Sequence, residues 1–245
     1  MDHPLLLFMK LMRPHHWVKN LFVLAPLLFA GKLGEGDAVR EAFQGFLAFS
    51  LAASAVYVFN DWQDREEDGL HPRKQKRPLV KGALSFRQVL TGGLLCLGGS
   101  LVLALSAGIG VTAVILGYVG LNLLYSLGLK RRVYLDVMLI ATGFALRVWA
   151  GSLAIGVPLS FWMATTTFFL ALFMGFGKRR GELAAVLLSA TTGRQVLHQY
   201  RLPQLDGLMN LSGGLALLLY SGYAWQAHFQ GPLGQGLMLD TIPMA

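Results

Sequence analysis

Asn60, Asp64 and Asp68 recur at intervals of four in NDWQDREEDGLHPRKQKRP, residues 60–78. On a helix that spacing stacks three oxygen-bearing side chains on one face, about one turn apart. Asp61, three residues before Asp64, can lean toward the same side. Carboxylates stacked in this way repel one another unless a positive charge lies between them. Hard oxygen donors so arranged suit Mg2+, which takes one or two protein carboxylates and completes its shell with substrate phosphates and water. The stretch then turns basic, with Arg73, Lys74, Lys76 and Arg77 following Glu66, Glu67 and Asp68. A solvated, charge-rich loop between two helices would also look like this. Its position, directly after one apolar run and before another, favours a site at a membrane boundary.

Other residues could serve phosphate chemistry. Lys19, in RPHHWVKN (residues 13–20), carries a flexible ammonium that can reach into a cavity. Trp17 beside it suits an interfacial anchor. The segment YSLGLKRRVYLDVMLIATGFALR holds Tyr125, Lys130, Asp136 and Arg147. Arg147 falls well inside an apolar run, where a charge is costly and faces a partner or a wet cavity. Either it forms a structural ion pair or it meets a substrate phosphate. Asp136 can cap a helix start or serve as a further metal ligand. Lys130, Arg131 and Arg132 can equally be topogenic anchors. Lys178 lies four residues before Glu182 and can pair with it, or it can add a phosphate ligand from a loop that covers the cavity. His15, His16 and His71 lack metal-ligand spacing. The sequence has no glycine-rich phosphate loop, nucleophilic triad or haem signature. Its single cysteine, Cys96, excludes an intrachain disulfide.

The elements that position these residues are apolar spans. Of 245 residues, 54% are hydrophobic and 14% charged, and mean hydropathy is +0.52. Soluble domains carry about 25% charged residues, so the composition describes an integral membrane protein. Runs of roughly 20 apolar residues, enough to cross the hydrocarbon core, fall at about 18–33, 40–60, 88–107, 109–127, 134–155, 159–177 and 207–227. Residues 1–16 form an interfacial lead, with no signal peptide. The end of the chain holds the start of an eighth span. The expected fold is all-α: a polytopic transmembrane helical bundle in one catalytic domain, residues 1–245. Its charged loops are 61–87, 128–133 and 178–206. Nearly all Lys and Arg fall in alternate gaps; the opposite gaps hold Lys32 and Arg40, and Arg147 lies within a span. The positive-inside rule makes the rich side cytoplasmic. The three charged loops then share one face of the cell (inner) membrane. The net charge of +8 therefore reads as topology, with no nucleic-acid partner expected.

With these motifs in place, the sequence resembles the UbiA-type intramembrane prenyltransferase superfamily, on Asn60-x-x-x-Asp64-x-x-x-Asp68 at the end of the second span. RPHHWVKNLFVLAPLLFAG, the Asp68–Pro78 continuation, YSLGLKRRVYLDV and ALRVWAGSLAIGVPLS are closer to one branch, the decaprenyl-phosphate phosphoribosyltransferases. The chain departs at Gly69, where that branch commonly has Arg. It also offers Asp136 with Ile140 four residues on, where the superfamily's second motif has two aspartates, and seven spans with a partial eighth where the family has nine. The resemblance implies Mg2+-dependent transfer of 5-phosphoribosyl from phosphoribosyl diphosphate to a polyprenyl phosphate in the bilayer. It implies metal ligation by Asn60, Asp61, Asp64, Asp68 and Asp136, the catalytic carboxylates being Asp61, Asp64 and Asp68. Substrate contacts would come from Lys19, Asn60, Lys74, Arg77, Tyr125, Lys130, Arg147 and Lys178. The sequence is compatible with a homo-oligomer. The alternatives are prenyl transfer to an aromatic acceptor and, outside enzymes, a membrane transporter using Asp64, Asp68 and Arg147 as an ion path.

Overall fold

The computed structural model describes residues 4–69, 75, 79–82, 84–189 and 195–230. Among these the chain is helical throughout, with no strand. Helix α1 (Pro4–Met12) leads into a 3-10 helix (Pro14–Leu24) and the short α2 (Ala25–Phe29). Then come α3 (Gly36–Gln63), α4 (Arg65–Gly69), α5 (Phe86–Ala107), α6 (Ile109–Leu127) and α7 (Leu135–Ala154). Helices α8 (Phe161–Ser189) and α9 (Leu202–Gln230) complete the described chain. Four of these, α3, α5, α6 and α7, are long and apolar enough to cross a membrane. At 29 residues each, α8 and α9 reach about 44 Å, also sufficient in length.

Local chemistry sets several boundaries. Ser85 and Gln88 form a reciprocal capping box that starts α5. Helix α8 continues past the predicted end of the sixth span, because GKRRGELAAVLLS is made largely of good helix formers. The charges there end the apolar run without ending the helix. The predicted 178–206 loop therefore shrinks: α8 takes its first part, a short 3-10 helix (Gln195–Gln199) its middle, and α9 its end.

The predicted first span, 18–33, is the main departure. It is not one α-helix but the 3-10 helix followed by α2, with Pro14 and Pro26 at their starts. This segment is wedged between α3, to which it runs antiparallel, and α7, to which it runs parallel. Trp17 Nε1 donates to Ser54 Oγ at 3.0 Å, and Asn20 Nδ2 donates to Ser50 Oγ at 3.0 Å. Ser54 Oγ donates to the Met12 carbonyl at 2.9 Å. The first core layer joins Val23 to Phe49, Ala52, Ala53, Ile115, Tyr118 and Ala150. Its many alanines let the helices approach closely, as membrane bundles require. A second layer of Val137, Ala141, Phe176, Leu197, Tyr200 and Leu205 ties α7, α8 and α9 together. Large apolar side chains such as Leu95, Val102 and Leu217 point outward. On a soluble protein they would be a liability, and in a bilayer they meet lipid.

Gly151 on α7 sets how closely the wedge seats. A Cβ there would lie 1.9 Å from the Val23 carbonyl oxygen. Gly117 on α6 has nothing within 4 Å. Gly151→Ala should cost about 1–3 kcal/mol, read as a lower melting temperature in detergent. Gly117→Ala should be neutral or stabilise by up to about 1 kcal/mol.

Candidate active site

One end of the bundle gathers the charged segments. The end of α3 points Asn60 and Asp64 toward the α6–α7 connection. Asn60 Oδ1 accepts from the Ser126 hydroxyl, and Asp64 pairs with Lys130. Gln63 Nε2 adds a bond to the Ser126 carbonyl at 3.1 Å. The i, i+4 relation read from sequence thus places Asn60 and Asp64 on one side. Asp64 closes α3 as its C-cap, and the Asp68 N–H donates to the Asp64 carbonyl at 2.8 Å, carrying a helical turn into α4. Asp68 is buried.

Asp61 does not join that side. It turns to the 3-10 helix, where Arg13 Nη2 meets its two oxygens at 2.7 and 2.8 Å. Arg13 has φ 51°, an uncommon conformation for a residue other than glycine, at the bend between α1 and the 3-10 helix. Ser50, Ser54, Tyr57 and Asp61 form the face of α3 that receives this segment; the Arg13 guanidinium lies 5.7 Å from the Tyr57 ring.

Asp136 also stands apart. It is fully buried on α7, with one oxygen taking Arg179 Nε at 2.7 Å and the other the Tyr200 hydroxyl at 2.6 Å. Arg179 also donates to Glu182 at 2.6 Å. With both oxygens engaged, Asp136 is a structural anchor between α7 and α8 rather than a member of the Asn60 group. It is not the helix cap either, since Tyr134, with φ 66°, occupies that position. The Tyr134 N–H donates to the Tyr200 hydroxyl at 2.8 Å. Burial and the Asp136 bond push the Tyr200 phenol well above its ordinary range. Sequence spacing does not join Arg179 or Tyr200, 43 and 64 residues away, to Asp136. The one available signal was a buried acid needing a cation.

Arg147 is buried, with Nε donating to Asn20 Oδ1 at 2.8 Å, Nη1 to the Gly143 carbonyl at 2.7 Å and Nη2 to the Tyr118 hydroxyl at 3.2 Å. Its partners among the described residues are thus an amide, a carbonyl and a phenol rather than the carboxylate of the ion-pair alternative. Lys19 is exposed, with the charges of Lys178, Arg147 and Arg13 acting on it. Lys178 is 67% exposed and lies 4.0 Å from Glu182. Tyr125 is half-buried, within electrostatic reach of Arg179. Lys74 and Arg77 lie outside the described residues. Among the described residues no three His, Cys, Asp or Glu side chains converge on one point. A hollow of about 400 Å³ lined by Tyr134, Gln204, Gly207 and Leu208 adjoins the Tyr200 anchor rather than Asp64; the chemistry of the side chains locates the site better than the shape of the surface.

The fold and site define a multi-pass helical membrane protein that collects acids and cations at one helix end. The chain belongs to the UbiA prenyltransferase family, matching it over residues 20–193. It is 34% identical over 223 residues to decaprenyl-phosphate phosphoribosyltransferase of Mycolicibacterium smegmatis, covering 88% of this chain and 69% of that one. Against the protein of that name from Mycobacterium tuberculosis the figures are 32% over 244 residues, 96% and 78%. A UbiA homolog from Archaeoglobus fulgidus, solved bound to GPP and Mg2+, superposes with a TM-score of 0.74 at 20% identity, covering 88% of this chain and 77% of that one. It shares the fold.

One outcome tests these assignments. Asp136→Ala leaves the buried Arg179 with Glu182 alone and the Tyr200 hydroxyl without its acceptor, and should cost about 1–3 kcal/mol, measured by thermal unfolding in detergent.

Proposed function

We propose that this chain transfers a 5-phosphoribosyl group from phosphoribosyl diphosphate to a polyprenyl phosphate of decaprenyl type, releasing diphosphate. The observation that carries the reading is the 32–34% identity, along most of the chain, to relatives bearing that activity in their names. The Asp68–Pro78 motif and the pairing of Lys130 with Asp64 agree with it. The reaction joins a soluble, highly anionic sugar to a lipid, so a site at the membrane boundary suits both. The density of Lys and Arg at this end of the bundle makes it the cytoplasmic end, in the cell membrane. The 3-10 helix with α2 is the first crossing, followed by α3, α5, α6, α7, α8 and α9; the predicted eighth lies outside the described residues.

The donor set fits Mg2+. Asn60 and Asp64 offer hard oxygens on one side of α3, and Asp68 follows a turn later. An ion that completes its shell with diphosphate oxygens and water needs no larger protein cage. Asn60, Asp64 and Asp68 would hold it, the ion displacing the Ser126 and Lys130 contacts of the first two; Asp61 and Asp136 are held in place by Arg13 and by Arg179 with Tyr200. When bound, the ion supplies neutralisation of the charge that develops on departing diphosphate. Lys130, gathered to Asp64, stands ready for a diphosphate oxygen; Lys19 and Lys178 offer further phosphate contacts as mobile point charges. An acceptor phosphate oxygen attacks C1 of the ribose, and the C1–O bond to diphosphate breaks, its electron pair leaving with diphosphate. The acceptor is already an anion, so no general base is required. Attack opposite the leaving group inverts C1. Catalysis here is mostly positioning and charge stabilisation.

Purified protein in detergent, given phosphoribosyl diphosphate, a polyprenyl phosphate and Mg2+, should release diphosphate. Asp64→Asn and Asp68→Asn should each lower the rate on the order of a hundredfold while the protein stays folded. Turnover only with a prenyl diphosphate and an aromatic acceptor would replace this reading with prenyl transfer. Solute flux in proteoliposomes without turnover would replace it with transport.

A further inference from the structure

Arg147 presents an energetic problem. It is only 5% exposed, lies in the second half of a span, and none of its recorded partners is a carboxylate. Its guanidinium sits 5.0, 4.9 and 5.1 Å from the ring centres of Phe49, Tyr118 and Phe144. Cation–π contacts and three donated hydrogen bonds offset part of the desolvation cost, but a neutral side chain would avoid that cost altogether.

The bond from Nε explains what the charge is for. Asn20 is 1% exposed. Its Oδ1 accepts from Arg147 at 2.8 Å and its Nδ2 donates to Ser50 Oγ at 3.0 Å, so the amide is fixed at both ends. Asn20 thereby locks the 3-10 helix between α7 and α3. The other lock is Arg13 on Asp61. On α3 the two locked positions, Asp61 and Ser50, are about 16 Å apart. Seven residues of α-helix from Arg13 to Asn20 would cover only about 10 Å, whereas the same residues as 3-10 helix cover about 14 Å. The two anchors therefore hold the segment in its longer form. With about three residues per turn, Asn20 faces into the bundle while Lys19 faces out, where the charges of Arg13 and Lys178 also act.

We propose that Arg147 is a positioning residue: through Asn20 it sets the register of the 3-10 helix and so aims Lys19 at a phosphate group of the substrate, without touching the substrate itself. This rests on the reading of the site as one that binds a diphosphate. It changes the role that the sequence alone suggested for Arg147 as a phosphate ligand.

Binding of inorganic diphosphate with Mg2+ to the purified full chain in detergent, followed by titration calorimetry, tests it without needing acceptor lipid. Lys19→Met and Arg147→Met should each weaken binding on the order of tenfold, and the double variant should be no weaker than Lys19→Met beyond about twofold. Arg147→Lys should not restore affinity, because one ammonium cannot hold Asn20, Gly143 and Tyr118 together. Asn20→Ala should match Arg147→Met, and it decides the matter with Lys19→Met should Arg147→Met fail to fold. Multiplying losses near a hundredfold, or recovery in Arg147→Lys, would make Arg147 a direct ligand and overturn the proposal. Unchanged binding in Arg147→Met or in Asn20→Ala would also overturn it. A wild-type chain that binds no diphosphate would remove both this inference and the reading beneath it, a result distinct from any failure within the variant series.

Discussion

A carboxylate withdrawn from water costs several kcal/mol unless a cation or strong donors meet it, and this requirement organises one whole end of the molecule. Asp61 is met by Arg13 at the bend before the 3-10 helix, Asp64 by Lys130 from the α6–α7 connection, and Asp136 by Arg179 from α8. Each pair joins segments far apart in sequence. In a bilayer, where apolar burial does little to choose between helix arrangements, such pairs fix which segments meet. Two of these acids meet arginines and Asp64 a lysine, a flexible point charge that fixes a carboxylate less rigidly than a guanidinium fork.

Asp61 and Asp136 have both oxygens engaged and act as fasteners. Asn60 and Asp64 instead face the α6–α7 connection, where Ser126 and Lys130 meet them. The end of α3 thus reaches the amino-terminal segment through Asp61 and the α6–α7 connection through Asn60 and Asp64.

Much of this was legible in the sequence. The spacing of Asn60 and Asp64, the apolar runs and the alternation of basic gaps are local or periodic properties, and they marked the helices and their shared charged end. The direction of Asp61 was not legible, because its partner Arg13 is 48 residues away and sequence spacing reports only same-helix neighbours. Asp136 was misread for the same reason, its partners Arg179 and Tyr200 being 43 and 64 residues away. Hydropathy averages do not distinguish helix types, so the apolar run at 18–33 does not disclose its 3-10 turns. Pro14 and Pro26 were the only warnings, and the anchors on Ser50 and Asp61 decide the outcome.

The central claim is that a divalent ion carrying the diphosphate sits between Asn60, Asp64 and Asp68. A structure of the protein with phosphoribosyl diphosphate and Mn2+ in place of Mg2+, located by its anomalous signal, tests this most directly. The expected result is one ion at coordination distance, about 2.1 Å, from an Asp64 or Asp68 oxygen, with Arg13–Asp61 and Arg179–Asp136 intact. An ion held by Asp61 or Asp136, or diphosphate bound away from the end of α3, would contradict it.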